Sequence, residues 1–344
     1  MKDDISTKIK KKAYESGYDL CGIIEAKPFN EFNDHIKIRV EKFPKSTYLY
    51  ESLYSLGEPL EKANWAKSII VCIRRYNKYK IPQSLDKLFG KVYLFDGRLN
   101  YSKEYVEKNL FEDYLKEQGM KTYRDGVTAR WAAVKAGLGH FRKNNFIYTE
   151  FGSYVWIDTW MVDVEMEYDK EYDKVIKDCP EKCNKCIESC PTKALSEDFT
   201  MDRGSCIAQL SFFSTDLPSE EIREKMGTWV YGCDVCQDVC PMNINRWSEE
   251  EEFPELNEIS EIISLEKIFT MDENTLMNVL KPRFWYISED RIWLWKCNTL
   301  RAMANTGDNK YSKLIKDACN DNNDKVRKMA LWALKKFDTY KFNK

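Results

Sequence analysis

Eight of the twelve cysteines in this 344-residue chain crowd into the 62 residues from Cys179 to Cys240, and no other feature limits the possible folds so strongly. Thiols at that density are either cross-linked or ligated. The N-terminal stretch through Asp19 has neither an apolar signal region nor a twin-arginine signal, and no run reaches the ~20 apolar residues that span a membrane. A cytoplasmic location is therefore expected, with no membrane partner. In that compartment cysteines stay reduced, so ligation is a better reading than six disulfides. With only His35 and His140 in the chain, imidazole-based metal chemistry is nearly excluded. The scattered Cys21, Cys72, Cys297 and Cys319 stand in apolar surroundings and are expected in the core.

The spacing names the metal group. Cys183, Cys186 and Cys190 followed by Pro191 form the C-x2-C-x3-C-P run of bacterial ferredoxins, and Cys233, Cys236 and Cys240 followed by Pro241 repeat it. In such a run the closely spaced thiolates wrap one 4Fe–4S cube while the cysteine before proline reaches the other. Cys179 and Cys206 complete the set of ligands. The expected assignment is Cys179, Cys183, Cys186 and Cys240 on one cluster, and Cys190, Cys206, Cys233 and Cys236 on the other. Cys179 stands one residue further from Cys183 than the usual run allows. Thiolates also suit structural zinc, but paired Cys-Pro endings have no role there.

On either side of this segment the patterns change. Residues 5–16 carry Ile5, Ile9 and Ala13 at helical spacing; Leu20–Ile24, Ser68–Ile73 and Tyr154–Val164 read as strands; Ser102–Gln118 and Ala129–Ala136 read as helices. Residues 1–172 are thus expected to form an α/β domain and 173–247 the double-cluster domain. Residues 248–280, with ten acidic residues against one basic, are expected to be an acidic linker. Residues 281–344 reverse the sign, with fifteen Lys/Arg against seven Asp/Glu, and show three amphipathic helical faces. That pattern fits a HEAT-like helical tail with an anionic partner. The expected class is α+β and multidomain. The aromatic group Phe284, Trp285, Tyr286, Trp293 and Trp295 is read mainly as core, with base stacking as the sharper alternative.

Two cubanes make an electron wire, so the large N-terminal domain should hold the acceptor. No G-x-G-x-x-G, P-loop or G-x-S-x-G motif is present to identify it. From the residues alone the protein is an oxidoreductase with an unidentified N-terminal cofactor.

Four stretches carry a resemblance. Lys135-Ala136-Gly137-Leu138-Gly139-His140-Phe141-Arg142-Lys143-Asn144, Phe151-Gly152-Ser153, Cys183 to Thr192, and Tyr231-Gly232-Cys233-Asp234-Val235-Cys236-Gln237 to Cys240 resemble the epoxyqueuosine reductase family over about residues 1–340. The resemblance implies a cobalamin in the α/β domain, electrons delivered to cobalt through two 4Fe–4S clusters, and a tail that helps hold tRNA. It implies reduction of the epoxide of epoxyqueuosine in tRNA to queuosine, with ferredoxin or flavodoxin as external donor. Cofactor contacts are expected from Arg98, Asn100, Arg130, His140, Lys143, Asn144 and Ser153. The D-x-H-x-x-G motif of His-ligated corrinoid proteins is absent, so the cobalamin is expected base-off and without a His ligand.

The chain also departs from the family. Where the family places a proton-donating Asp within G-R-D-Y-H, this chain reads Asp96-Gly97-Arg98-Leu99-Asn100-Tyr101, and Asp158-Thr159 replaces a Gly-Glu pair. Asp96 or Tyr101 is the expected replacement donor, since a neutral Asn100 cannot act as an acid. Two alternatives stay open. One is a related corrinoid reductase of a small molecule, resembling reductive dehalogenases; the other is a ferredoxin-like carrier without corrinoid.

Overall fold

Strand Ser68–Arg75 is buried along nearly its whole length because helices cover both faces of the sheet it belongs to. The chain is described by a computed structural model over residues 2–95, 99–172 and 179–342. The N-terminal unit contains α1 (Lys2–Glu15), β1 (Leu20–Glu25), α2 (Asn30–Lys42), β2 (Ser68–Arg75), α3 (Lys103–Glu117), β3 (Thr122–Arg124), α4 (Ala129–Lys135) and β4 (Val155–Val162). Its sheet has the order β1-β2-β4-β3 and is antiparallel throughout, with Ile23 opposite Ile70 and Ile70 opposite Trp160. Alternation along β2 sends Ile70 and Cys72 toward Ile9 and Ala13 of α1 and Phe111 and Leu115 of α3. Ile69, Val71 and Ile73 point the other way, toward Phe32 and Ile36 of α2 and Ala132 and Ala133 of α4. The Ser102 hydroxyl caps α3 by accepting from the Tyr105 amide at 3.2 Å.

Two glycines are required by this packing. A Cβ on Gly22 would lie 2.9 Å from that of Ala136, so α4 can settle on β1 only because no side chain intervenes. Gly137 takes φ +66° and ends α4, turning the chain toward His140.

The cysteine segment has little regular structure. Short helices α5 (Lys185–Glu188) and α7 (Val235–Asp238) follow the first thiols of each run, and α6 (Ile207–Phe213) follows Cys206. Beyond it come α8 (Leu256–Ile262), α9 (Leu265–Thr270), α10 (Trp293–Thr306), α11 (Ser312–Ala318) and α12 (Asp324–Phe342).

The stretch expected as an acidic linker is folded. Phe253, Leu256, Ile263, Leu265 and Ile268 are buried among its acidic residues, and Glu251 and Glu252 pair with Lys78 at 3.1 Å and Lys80 at 2.8 Å. Counting charge alone hid the apolar face of these helices. One apolar core runs from Tyr76, Phe95 and Tyr154, through Phe212 and Tyr231, to Trp295, Leu300 and Val326. The Arg301 guanidinium donates to the carbonyls of Gly227 and Trp229, and Asn298 donates to that of Ser211 at 2.7 Å. The helical tail is therefore docked on the cluster segment. Among the described residues no helix is long and apolar enough to cross a membrane.

Candidate cluster sites and cofactor cavity

The eight cysteines expected as ligands separate into two groups. Cys179, Cys183, Cys186 and Cys240 line one small pocket beside Arg142, Lys143 and Asn144. Cys190, Cys206, Cys233 and Cys236 lie together on the wall of a second, much larger cavity. Pro241 explains the crossing, because a residue before proline is driven to an extended backbone. Cys240 has φ −72° and ψ 123°, which turns its thiol away from the loop of Cys233 and Cys236. Burial, reinforced by Cys179 and Cys240, pushes the Cys186 thiol up to about 11. Burial raises Cys233 and Cys236 well above the ordinary thiol value too, with Cys206 and Cys190 adding to the effect. Crowded thiolates without a cation between them repel one another, and bound iron reverses that cost. Among the described residues no three His, Cys, Asp or Glu side chains close to the spacing of a single metal ion.

A buried polar network clamps the second cysteine run onto the N-terminal unit. The Gln237 amide donates to Ser153 Oγ at 2.9 Å, and Asn243 donates to Ser153 Oγ and to the Gln237 carbonyl at 2.8 Å each. The Ser153 amide donates back to Asn243 Oδ1 at 3.0 Å. Asn144 Nδ2 donates to the Cys236 carbonyl and the Tyr148 hydroxyl, both at 2.9 Å. The Ser153 and Asn144 side chains are thus engaged with the cluster segment while their residues also touch the large cavity. Lys143 lies at the smaller cysteine pocket, held by Asp198 at 3.1 Å and Asn184 at 3.0 Å.

The large cavity measures about 1380 Å³. Its floor is the first half of β4, where Val155, Ile157 and Thr159 face the space. Phe32 and Ile36 of α2, Trp131 and Val134 of α4, and Phe141 make an apolar side; the second cysteine group, Trp285 and Tyr286 stand on other parts of the wall. Buried polar atoms of lining residues lack a partner: Thr159 Oγ1, Asn145 Nδ2 and Arg39 Nε. Such a space suits a broad apolar ligand with polar groups at its edge. A corrin ring fringed with amides has that character, so the wall fits the cofactor expected from the resemblance.

The residues expected to bind or act fall in different places. Arg130 opens α4 on the cavity wall, donates to the Asn145 carbonyl at 3.0 Å, and lies 4.5 Å over the Phe146 ring. Both histidines, His35 and His140, line the cavity. The missing D-x-H-x-x-G motif therefore does not by itself keep imidazole from a ligand. Tyr101 is 41% exposed, accepts from Arg283 Nη2 at 3.0 Å, and does not line the cavity; nor does Asn100. Asp96 and Arg98 lie outside the described residues. Residues that sequence reasoning missed are Arg39, Tyr50, Arg203 and Asn243. Only Arg203 carried a local signal, three residues before Cys206.

A family model described as a 4Fe-4S double cluster binding domain matches residues 179–243. A curated epoxyqueuosine reductase of Cyclobacterium marinum is 30% identical over 258 residues, covering 71% of this chain and 81% of that protein. One from Prochlorococcus marinus is 28% identical over 325 residues, covering 86% and 96%. A crystal structure of epoxyqueuosine reductase with an epoxyqueuosine-modified tRNA stem loop superposes with a TM-score of 0.82 at 25% identity, covering 97% of this chain and 90% of that one.

Proposed function

The chain belongs to the epoxyqueuosine reductase family, and on that premise we propose that it reduces the epoxide of epoxyqueuosine in tRNA to queuosine, using two 4Fe–4S clusters and a cobalamin held in the large cavity. The observation that carries this reading is the shared wall: the second cysteine group and the apolar, amide-accepting surface face the same space. Bound there, cobalamin would supply reduction at cobalt. Deoxygenation of an epoxide takes two electrons and two protons and releases water, so the protein must also deliver electrons singly and protons to the leaving oxygen.

Within this reading residues 1–172 hold the corrinoid, 173–247 carry the clusters and 281–344 form a HEAT-like tail that helps hold RNA. Phe32, Ile36, Trp131 and Phe141 would exclude water from the ring, while Thr159 and Asn145 would meet its polar edge. Lys143, Asn144 and Ser153 support it indirectly by fixing the cysteine runs. Lys313 and Lys316 of the tail have no ion-pair partner among the described residues and favour an anionic ligand, with an external donor such as ferredoxin or flavodoxin reducing the clusters. Asp96 and Tyr101 are the proposed proton donors. Burial holds the Tyr101 hydroxyl above its ordinary pKa despite Arg283, so it is protonated at neutral pH as an acid must be.

The test is anaerobic turnover of an epoxyqueuosine-modified tRNA stem loop by cluster-loaded protein with and without cobalamin. Product is expected only with the corrinoid. Asp96→Asn or Tyr101→Phe should slow product formation without loss of cobalt, and normal turnover in both would exclude them as donors. Failure of the unaltered, fully loaded protein would reject the substrate.

A further inference from the structure

Three guanidinium groups meet on one part of the cavity wall without a carboxylate. Arg39 of α2 donates to Asn145 Oδ1 at 2.6 Å and to the Phe199 carbonyl at 2.9 Å, while Arg130 donates to the carbonyl of the same Asn145 at 3.0 Å. Arg203 donates to Gln209 Oε1 at 2.6 and 3.1 Å and lies 5.7 Å over the Tyr50 ring. The Tyr50 hydroxyl in turn accepts from the Arg203 amide at 3.0 Å. All three arginines line the cavity, and none forms an ion pair among the described residues. The carboxylates on that wall are engaged elsewhere: Asp125 with Lys108 at 3.0 Å, Glu171 with Lys135 at 3.2 Å, and Asp234 with Lys91 at 3.7 Å.

Such an arrangement opposes itself. Arg39 and Arg203 are half-buried, which lowers their pKa, and the neighbouring guanidiniums lower it further: Arg130 and Arg203 act on Arg39, and Arg130, itself exposed to the cavity, acts on Arg203. Like charges gathered in a partly desolvated wall are costly unless an anion joins them. The second cluster is one anion nearby, since Cys206 is close enough to raise Arg203 and Cys236 to raise Arg130. A doubly negative, thiolate-ligated cubane still leaves about one positive charge in excess. Arginine's planar fork matches the paired oxygens of a phosphate ester.

We propose that Arg39, Arg130 and Arg203 form a subsite for the phosphodiester that joins the corrin ring to its nucleotide base. The inference rests on the corrinoid reading of the cavity. It identifies what anchors the cofactor in a chain without the usual His-ligand motif: charge on the tail rather than a bond to cobalt. A small-molecule phosphodiester is favoured over one from RNA because the arginines share their wall with the apolar side of Ile36, Trp131 and Phe141 and with the cysteine ligands.

The experiment compares cobalamin with cobinamide, which keeps the corrin ring but lacks the phosphodiester and base. Affinities are measured by equilibrium dialysis on full-length, cluster-loaded protein, with iron content checked for each variant. For Arg39→Gln, Arg130→Gln and Arg203→Gln, cobalamin binding should weaken by about 10- to 100-fold each, the scale of a lost charge-assisted hydrogen bond, while cobinamide binding changes by no more than about twofold. Arg39→Lys should recover part of the loss. Equal losses for both corrinoids would mean that the arginines only shape the wall, and no loss for either would mean that they serve the cluster; both results overturn the proposal. So would variants that lose affinity for the tRNA stem loop yet bind cobalamin normally. If the unaltered protein binds cobinamide as tightly as cobalamin, the subsite fails while the corrinoid reading stands. If it binds neither, both fail.

Discussion

Replacing Asn243 with alanine removes the centre of the network that ties the second cysteine run to the N-terminal unit. Asn243 is 5% exposed and makes three bonds: it accepts from the Ser153 amide at 3.0 Å and donates to Ser153 Oγ and the Gln237 carbonyl at 2.8 Å each. Net contributions of about 1 kcal/mol per bond add to a loss of about 3 kcal/mol, with the buried Ser153 amide left unpaired. One apolar cluster joins the edge of the N-terminal unit, the cluster segment and the tail, and the shift is worked for the whole chain as one cooperative unit. At ~2.1 cal/mol/K per residue its unfolding entropy is about 0.7 kcal/mol/K, so the loss should lower the midpoint by about 4 °C. The assay is anaerobic thermal unfolding of cluster-loaded protein at one fixed scan rate. Asn257→Ala is the control, because Asn257 makes one exposed 3.3 Å bond to Glu252 and should shift the midpoint by under about 1 °C. Combining Asn243→Ala with Ser153→Ala should cost less than the sum of the single changes. A shift for Asn243→Ala no larger than the control, or strict additivity with Ser153→Ala, would refute the reasoning.

Other expectations concern the metals and the RNA. The unaltered chain should hold about eight iron, and Cys236→Ser should lose about half while keeping the cluster of Cys179, Cys183, Cys186 and Cys240, as iron analysis can show. Full iron in that variant would contradict the grouping. With cobalamin bound, the Co(II) resonance should lack the threefold splitting of an axial nitrogen; a split signal that disappears in His35→Ala or His140→Ala would identify a ligand and refute the base-off, His-free state. Lys313→Glu, Lys316→Glu and Lys328→Glu together should weaken stem-loop binding and flatten its log–log salt dependence by ~0.7–0.9 for each phosphate no longer neutralised, with the clusters intact. Lys325 is a poor choice for that test, because its ammonium lies 4.2 Å over the Trp293 ring and its reversal would disturb packing.

What could be read from the chain depended on the range of the interaction. Both cysteine groups were legible because short spacings and the Cys-Pro endings act locally. Strands such as Ser68–Arg75 and helices such as Lys103–Glu117 showed because burial on two faces or one stripe leaves a periodic trace. The acidic stretch after Trp247 misled because its charge masked Leu256, Ile263 and Ile268, whose partners lie in distant helices. Asn144 and Ser153 were placed by family resemblance at the cofactor, whereas their side chains bond to Cys236 and Gln237. Of the arginine group only Arg130 was named, through the resemblance; that Arg39 and Arg203 stand beside it was not legible. Arg39, Arg130 and Arg203 are far apart in sequence and meet only through Asn145 and Tyr50.

The measurement that bears most directly on the central claim is a single turnover without external donor. Protein loaded with both clusters and cobalamin is reduced, freed of excess reductant, and mixed anaerobically with an epoxyqueuosine-modified tRNA stem loop. Cluster absorbance and the nucleoside products are then followed together. If electrons pass from two one-electron clusters through the corrinoid to the epoxide, with cobalt ending in the oxidation state in which it began, reoxidation of both clusters should accompany about one queuosine per chain, and corrinoid-free protein should yield none. Clusters that stay reduced while the RNA is bound, or queuosine formed without corrinoid, would contradict it.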